Sequence, residues 1–136
     1  MIRIPEELKF IPVFAPQEVA ASTEKTTSYV DAAGAGEVAF ILMCAPLGAG
    51  KSLTVKLAAA SDASGSDAAE VGQAVFTDAV GTEAQAVVVS YQVRPENGRY
   101  IALKFQHDGD AEIALGAAAI TDGMEMPAAN GWTLVL

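Results

Sequence analysis

The segment Ala45–Ser52 contains the residue types that bind a nucleotide phosphate, a Gly-rich loop followed by Lys51 and Ser52. It fits the loose phosphate-loop pattern, with Ala in place of the first Gly. In such a loop, backbone N–H groups hold the phosphates, the lysine reaches their oxygens and the serine contacts Mg²⁺. The loop must open a helix, whereas the following Leu53–Leu57 alternates apolar and polar residues as a strand does. We therefore expect a Gly-rich hairpin loop, with nucleotide binding through Lys51 and Ser52 as a lesser alternative.

Two other side chains are candidates for catalysis. His107 is the only histidine, and the Asp108-Gly109 that follows it is typical of a hairpin turn. We expect His107 to be a solvent-exposed turn residue. Cys44 ends the apolar run Val38–Cys44, which predicts a small buried residue and not a nucleophile. No second histidine accompanies either group, so we predict no catalytic residues and a protein that is not an enzyme.

Two clusters of oxygen-bearing side chains resemble the beginnings of a calcium site. They are Asp62, Ser64 and Ser66, and Asp108, Asp110 and Glu112. An EF-hand loop that began at Asp62 would need Glu at its twelfth position, where Gln73 stands. We expect solvated turns at both places, and we predict neither a metal nor a cofactor.

Aromatic side chains raise a different possibility, the stacking of a sugar ring. The candidates are Tyr91, Tyr100 and Trp132. They define a carbohydrate-binding alternative. Because Thr133–Leu136 continues as an apolar strand, we expect Trp132 to pack in the core.

Composition excludes several partners. The chain has 136 residues and a net charge of −9, and its eight basic residues are scattered, so we predict no nucleic-acid partner. The single cysteine forms no intrachain disulfide, which favours synthesis in a cytoplasm. We see neither an apolar run of about 18 residues nor a signal peptide, and we predict no membrane partner.

Residues 1–26 differ from the remainder, because Pro5, Pro12 and Pro16 interrupt any long helix. We predict an extended N-terminal arm that lies along its own domain or a neighbouring subunit. Its large apolar residues are the candidate partner-binding residues: Leu8, Phe10, Ile11, Val13 and Phe14.

Residues 27–136 alternate short apolar runs with Gly-rich turns, a pattern that predicts about eight strands. The predicted strands are Ser28–Asp31, Glu37–Cys44, Ser52–Ala60, Val71–Thr77, Ala84–Gln92, Arg99–Gln106, Ala111–Ile120 and Trp132–Leu136. One helical turn is expected near Asp67–Val71. The fold class is all-β, a jelly-roll-like antiparallel β-sandwich with the arm attached.

This layout resembles the small β-sandwich capsid decoration (cement) proteins and related virion proteins of tailed bacteriophages. The resemblance is one of pattern and spans about residues 8–122: an arm with prolines, the strand Glu37–Cys44, a Gly-rich turn, Leu53–Leu57 and the Ala/Gly-rich Ala114–Ile120. It implies a structural protein on the virion surface, made in the bacterial cytoplasm, that stabilises the shell by binding the major capsid protein. It also implies a homo-oligomer, with a trimer favoured, and no site residues to transfer. A tail or head-fibre component is the close alternative.

Overall fold

Most of the regular structure is extended chain in the computed structural model, which describes residues 4–122, 128 and 130–134. A short helix, α1, spans Ile4–Glu7, and Pro95–Asn97 forms one 3₁₀ turn. The strands are β1 (Leu8–Val19), β2 (Lys25–Thr26), β3 (Val30–Asp31), β4 (Glu37–Cys44), β5 (Lys51–Ala60), β6 (Ala69–Asp78), β7 (Gln85–Gln92), β8 (Tyr100–His107) and β9 (Ile113–Asp122).

The strands form two antiparallel sheets. The first sheet has the order β1-β9-β4-β7, and the second has the order β2-β8-β5-β6, with β3 also paired to β8. Neighbouring strands come from distant parts of the chain, as they do in a jelly roll, whose two Greek keys wind between facing sheets. The all-β, jelly-roll-like sandwich predicted from the sequence is confirmed.

The core lies between the two inner faces. Val38, Phe40 and Leu42 are buried in β4, while the residues between them point away from the core. Leu53 and Val55 of β5 belong to the same buried cluster. Full burial of each such side chain contributes roughly 1.5–3 kcal/mol, so the period-2 pattern of these strands determines which side of each sheet faces inward.

Most predicted strands lie within two residues of the observed ones. The helical turn predicted at Asp67–Val71 is wrong, because β6 begins at Ala69 and pairs along β5. The last predicted strand, Trp132–Leu136, is also not observed over residues 132–134, and residues 135–136 lie outside the described part of the chain. Among the described residues, no helix has the length and apolar composition needed to cross a bilayer.

The predicted arm lies along its own domain. Residues 8–19 form β1, which pairs with β9 as the edge strand of the first sheet. Prolines are tolerated there because an edge strand leaves N–H positions unpaired, and register shifts flank Phe14. β1 is therefore part of the sandwich.

Candidate functional site

The Gly-rich turn does not form a phosphate loop. Lys51 begins strand β5, so no helix N-terminus faces the loop. Lys51 Nζ lies 3.1 Å from Asp110 Oδ1, and the Ser52 N–H donates to Asp108 Oδ1 at 2.6 Å. The Ser52 hydroxyl is 3.0 Å from the hydroxyl of Thr77. Both candidate residues take part in structural contacts. The predicted hairpin is wrong, because the loop connects β4 of the first sheet to β5 of the second, and these two strands do not pair.

Asp78 organises the loops beside this turn. Its side chain is buried, and its two carboxylate oxygens accept hydrogen bonds from the N–H groups of Leu47 (3.0 Å) and Gly81 (2.8 Å). Its carbonyl oxygen accepts a third bond, from the Gly50 N–H at 2.8 Å. A buried carboxylate that is bonded in this way stabilises the loop connections between the sheets.

His107 is buried, with only 1% of its surface exposed, so the expected exposed turn residue is a wrong prediction. Its Nε2 lies 2.7 Å from the Val19 carbonyl oxygen, and its Nδ1 accepts the Gly109 N–H at 3.0 Å. Nε2 therefore bears the ring proton and donates a hydrogen bond to the Val19 carbonyl oxygen. The signal in the sequence is the alternation of Leu103, Phe105 and His107, which all face inward. The ring is a structural group.

The Asp62 cluster is a closed turn. The Asp62 carboxylate accepts hydrogen bonds from the hydroxyls of Ser64 and Ser66 and from both of their N–H groups. The Ser66 hydroxyl, followed by the other bonds, lowers the pKa of Asp62 to about 2. Within the described ranges, no three acidic, histidine or cysteine side chains come together in a way that would hold a metal.

Cys44 is buried at the end of β4. Burial, with the nearby charge of Asp78 as a smaller cause, raises the pKa of its thiol to about 11. The thiolate is the nucleophilic form, so this thiol is inert at neutral pH.

The three candidate sugar platforms do not form one surface. Tyr91 is buried, and its hydroxyl accepts hydrogen bonds from the Arg94 N–H and the Asn97 side chain. Tyr100 is half-buried, and the guanidinium carbon of Arg99 lies 5.4 Å from the centre of its ring. Trp132 is fully exposed, so its predicted place in the core is wrong.

The five candidate partner-binding residues divide between the two sides of β1. Val13 is buried, Ile11 packs on the core, and Phe14 meets the Phe105 ring edge-on at 4.9 Å. Leu8 is half-buried, and Phe10 is exposed on the outer side. Val13 belongs to the domain's own core, and Ile11 and Phe14 pack against it while staying partly exposed. A role of these residues in partner binding stays a prediction.

The outer surfaces of the two sheets differ in polarity. Antiparallel sandwich sheets usually have polar outer sides. The second sheet follows this rule: its outer residues include Ser52, Thr54, Lys56, Gln73, Lys104 and Gln106. The outer side of the first sheet lacks ionisable side chains over a wide area, which we term the apolar face. It consists of Phe10, Pro12, Ala39, Ile41, Met43, Ala86, Val88, Ala114, Gly116, Ala118 and Ile120.

The apolar face is continuous across four strands. One transverse row joins Pro12, Ala118, Ile41 and Val88 as direct strand-to-strand neighbours. Met43 is 55% exposed at the centre of the adjoining row. A shallow depression of about 420 Å³ runs along the face. The sequence signal was present in β4 and β9, where both sides of the strand are apolar, but it was interpreted only as strand.

The chain is a jelly-roll-like β-sandwich whose first sheet carries the apolar face on its outer side. No protein-family model matches the chain, and the comparison with curated proteins found no match. Among solved structures, it is similar to the Cowpea mosaic virus top component, naturally occurring empty particles (TM-score 0.52, 10% identity, 93% of this chain and 90% of that chain).

Two further solved structures share the fold. One is a carbohydrate binding module of the glycoside hydrolase family 9 enzyme Cel9A from Ruminococcus flavefaciens FD-1 (TM-score 0.53, 11% identity, 84% of this chain and 98% of that chain). The other belongs to the Bacillus endospore appendages, a family of disulfide-linked pili (TM-score 0.50, 11% identity, 92% of this chain and 97% of that chain). At these identities the likeness shows a common β-sandwich fold.

Proposed function

We propose that this chain is a non-enzymatic virion structural protein that decorates a bacteriophage capsid and binds the shell through the apolar face. The observation that supports this role is the contrast between the two outer surfaces, one polar and one apolar. A large exposed apolar patch on a folded domain marks a surface that binds another macromolecule. The virus-particle match adds only that the fold suits a shell protein.

The apolar face has the properties of a protein-docking surface. Its central strands, β9 and β4, are paired on both sides, so the face is rigid and little conformational entropy is lost on binding. The small side chains of Ala114 and Ala118 keep the face low, which allows a flat partner to approach closely, and Pro16 packs over Gly116. Each Å² of apolar surface removed from water contributes about 25 cal/mol before the costs of association.

Charge favours an apolar area of the shell as the partner. The chain has a net charge of −9, yet none of its ionisable residues belongs to the apolar face. Acidic residues occur on this side of the sheet only at the border of the face, where Glu18 is paired with Ala114, Glu37 lies before Ala39 and Asp122 lies after Ile120. This proposal moves the contact from the arm residues to the sheet surface and retains Phe10 as its edge.

Co-sedimentation with undecorated shells, assembled from the major capsid protein encoded nearest to this chain, tests the proposal. The wild-type chain should sediment with the shells and raise their melting temperature. Met43→Glu places a charge at the centre of the apolar face and should abolish both effects. Gln106→Glu adds the same charge to the polar outer surface of the second sheet and should change neither. Wild-type protein that stays in the supernatant would contradict the proposal.

A carbohydrate-binding role is the second candidate, because Trp132 is exposed. Together with Phe10 and Pro12 it borders a groove between the C-terminal segment and β1. Asn130 holds this segment in place: its side-chain oxygen accepts the Phe10 N–H, and its amide donates to the carbonyl oxygens of Pro5 and Leu8. Binding on a glycan array that is lost in Trp132→Ala would favour this function, and an array without signal would remove it.

Two further alternatives from the sequence have separate tests. Genes for tail or head-fibre proteins beside this one would favour a fibre component over a decoration protein. Calorimetric titration with ATP and magnesium tests nucleotide binding through Lys51 and Ser52, where we expect no heat. The homotrimer implied by the resemblance stays a prediction, which the mass measurements below address.

A further inference from the structure

The sandwich has four edge strands, and only two of them have the usual protection against pairing with another chain. An unprotected edge strand pairs readily with other strands, and proteins guard such edges with prolines, bulges, charges or short length. The edge strand β1 contains Pro12 and Pro16 and two register shifts. At the opposite edge of the second sheet, β2 and β3 are two residues long.

The two other edges, β6 and β7, lie on the same side of the sandwich, are 10 and 8 residues long and contain no proline. The register shift in β6 falls at Val71, near the beginning of the strand, and the pairing with β5 is regular from Gly72 to Asp78. In β6 the run Val71–Thr77 contains no proline and no ionisable side chain, and every residue from Ala69 to Thr77 is exposed. The known neighbour of β6 is β5, which leaves its other edge open among the described residues. A groove of about 370 Å³ separates β6 from β7.

We propose that β6 pairs with β6 of a second copy of this chain, antiparallel, around a two-fold axis through Ala74. The axis places the run Val71–Thr77 of one copy opposite the same run of the other copy. The second sheets of the two copies then form one continuous sheet. Such an interface is isologous, because each copy contributes the same strand.

The absence of charge in this run argues for a second copy as the partner. A chain with a net charge of −9 repels itself wherever its acidic residues meet. Between Glu70 and Asp78 the strand has no such residues, and the Asp78 carboxylate is already bonded to the N–H groups of Leu47 and Gly81. Over Val71–Thr77 two copies can therefore touch without like charges directly opposite, which destabilise a sheet. Just outside this run the axis places Glu70 opposite Asp78, whose carboxylate is buried and directed at the loops of its own copy.

Side-chain shape supports the position of the axis. Phe76 lies opposite Leu53 and Gly72 lies opposite Leu57, so both are on the inner side of the sheet. Phe76 is 41% exposed, and a Cβ built on Gly72 would meet nothing within 4 Å. The axis through Ala74 places Phe76 of each copy across from Gly72 of the other, so that each ring fills the open space. An aromatic residue opposite a glycine is a known way of fixing register in a sheet.

A charge-swap experiment tests the pairing. In solution the wild-type chain should have twice the mass of one chain by light scattering. Ala74→Lys and Ala74→Glu each place like charges opposite each other across the axis, so each variant alone should have the mass of one chain. An equimolar mixture of the two should recover the doubled mass. Circular dichroism and melting temperature show that each variant is folded.

A cysteine cross-link gives positive evidence for the axis. Cα atoms directly opposite in an antiparallel pair lie within disulfide range. Ala74→Cys should therefore form a covalent dimer on air oxidation, seen on a non-reducing gel. Ala86→Cys, an exposed residue on the apolar face, is the matched control and should remain a single chain. The buried Cys44 does not interfere, because burial raises the pKa of its thiol to about 11.

Several results would overturn the pairing: a single-chain mass for the wild type, a doubled mass that survives in Ala74→Lys, or a mixture that fails to recover it. A three-chain mass would also overturn it and would favour the homotrimer implied by the resemblance. The pairing and the capsid-binding proposal fail separately. Met43→Glu should lose shell binding and keep the doubled mass, and a wild type that pairs without binding shells would contradict only the proposed function.

Discussion

The Nε2 of His107 lies 2.7 Å from the carbonyl oxygen of Val19, a bond that joins the end of β8 in the second sheet to the end of β1 in the first. Val19 is itself fully buried. The edge strand that the sequence predicted as an arm is thus fastened to the sandwich by a buried side-chain hydrogen bond, in addition to its pairing with β9.

Replacing His107 with Leu should destabilise the fold. Leucine fills a similar volume, but it leaves the Val19 carbonyl and the Gly109 N–H without their hydrogen-bond partner. We expect the free energy of unfolding to fall by about 2–4 kcal/mol. Urea denaturation followed by circular dichroism measures this change. Gln106→Leu, on the neighbouring residue that points outward, is the control and should shift the midpoint little. Equal stability of the two variants would contradict a structural role for the ring.

Replacing Thr121 with Val should stabilise the protein. Thr121 is 1% exposed, and its hydroxyl has no hydrogen-bond partner in the described part of the chain. Removing a buried unsatisfied hydroxyl recovers about 1 kcal/mol of its desolvation cost. The control is Thr54→Val on the half-buried outer side of β5. A rise in the denaturation midpoint for Thr121→Val alone supports the expectation, and a fall in stability would indicate an unseen partner such as water.

Local patterning predicted the strands, because each depends on its own residues. The alternation of Leu53–Leu57 predicted β5, but the loop before it crosses from the first sheet to the second and is not the predicted hairpin, because strand pairing is not determined by local pattern. The sequence did not predict the apolar face. Other parts of the chain decide whether the outer side of β4 or β9 is covered, and the pattern of a single strand does not contain this information. The sequence shows that both sides of these strands are apolar, but it cannot show which side faces the core.

The wrong prediction at His107 and the unpredicted pairing of the arm with β9 share one physical cause, long-range contact. Asp108-Gly109 predicted a hairpin turn, whereas this segment crosses from β8 in the second sheet to β9 in the first, and the partner of His107 is 88 residues away. Similarly, the prolines of residues 5–16 interrupt any long helix, yet they do not exclude an edge strand that pairs with β9 near the other end of the chain. Such non-local pairings are not encoded in short windows of sequence.

Gly81 should tolerate alanine less well than Gly34 does. Both residues have φ of +79°, so the backbone strain of an alanine is the same at the two sites. A Cβ on Gly81 would overlap the backbone of Gly48 and Ala49, whereas one on Gly34 would meet nothing within 4 Å. We expect Gly81→Ala to be less stable than Gly34→Ala by about 1–3 kcal/mol, the usual cost of overpacking. Thermal melting measures the difference, and equal melting temperatures would show that the two loops can separate.

Asp62 should titrate well below an ordinary aspartate. Hydrogen bonds from Ser66 and Ser64 lower its pKa from 3.8 to about 2, so carbon-detected NMR of its carboxyl should give a midpoint near the lower value. Because the folded pKa is depressed, its contribution to stability is complete above pH 3.8 and is lost as the pH falls through about 2.

The Ser66→Ala variant identifies the cause of the low Asp62 pKa. The Ser66 hydroxyl is the largest contributor to the shift, so its removal should raise the pKa of Asp62 toward 3.8 while the sandwich stays folded. The closed turn around Asp62 should also lose part of its acid resistance, which amide hydrogen exchange of residues 61–67 would detect as faster exchange near pH 3.8. Ala63→Ser, an exposed substitution in the same loop, controls for nonspecific effects. A midpoint that stays near 2 in Ser66→Ala would show that the remaining bonds from Ser64 and from the backbone N–H of residue 66 are sufficient to hold the carboxylate ionised.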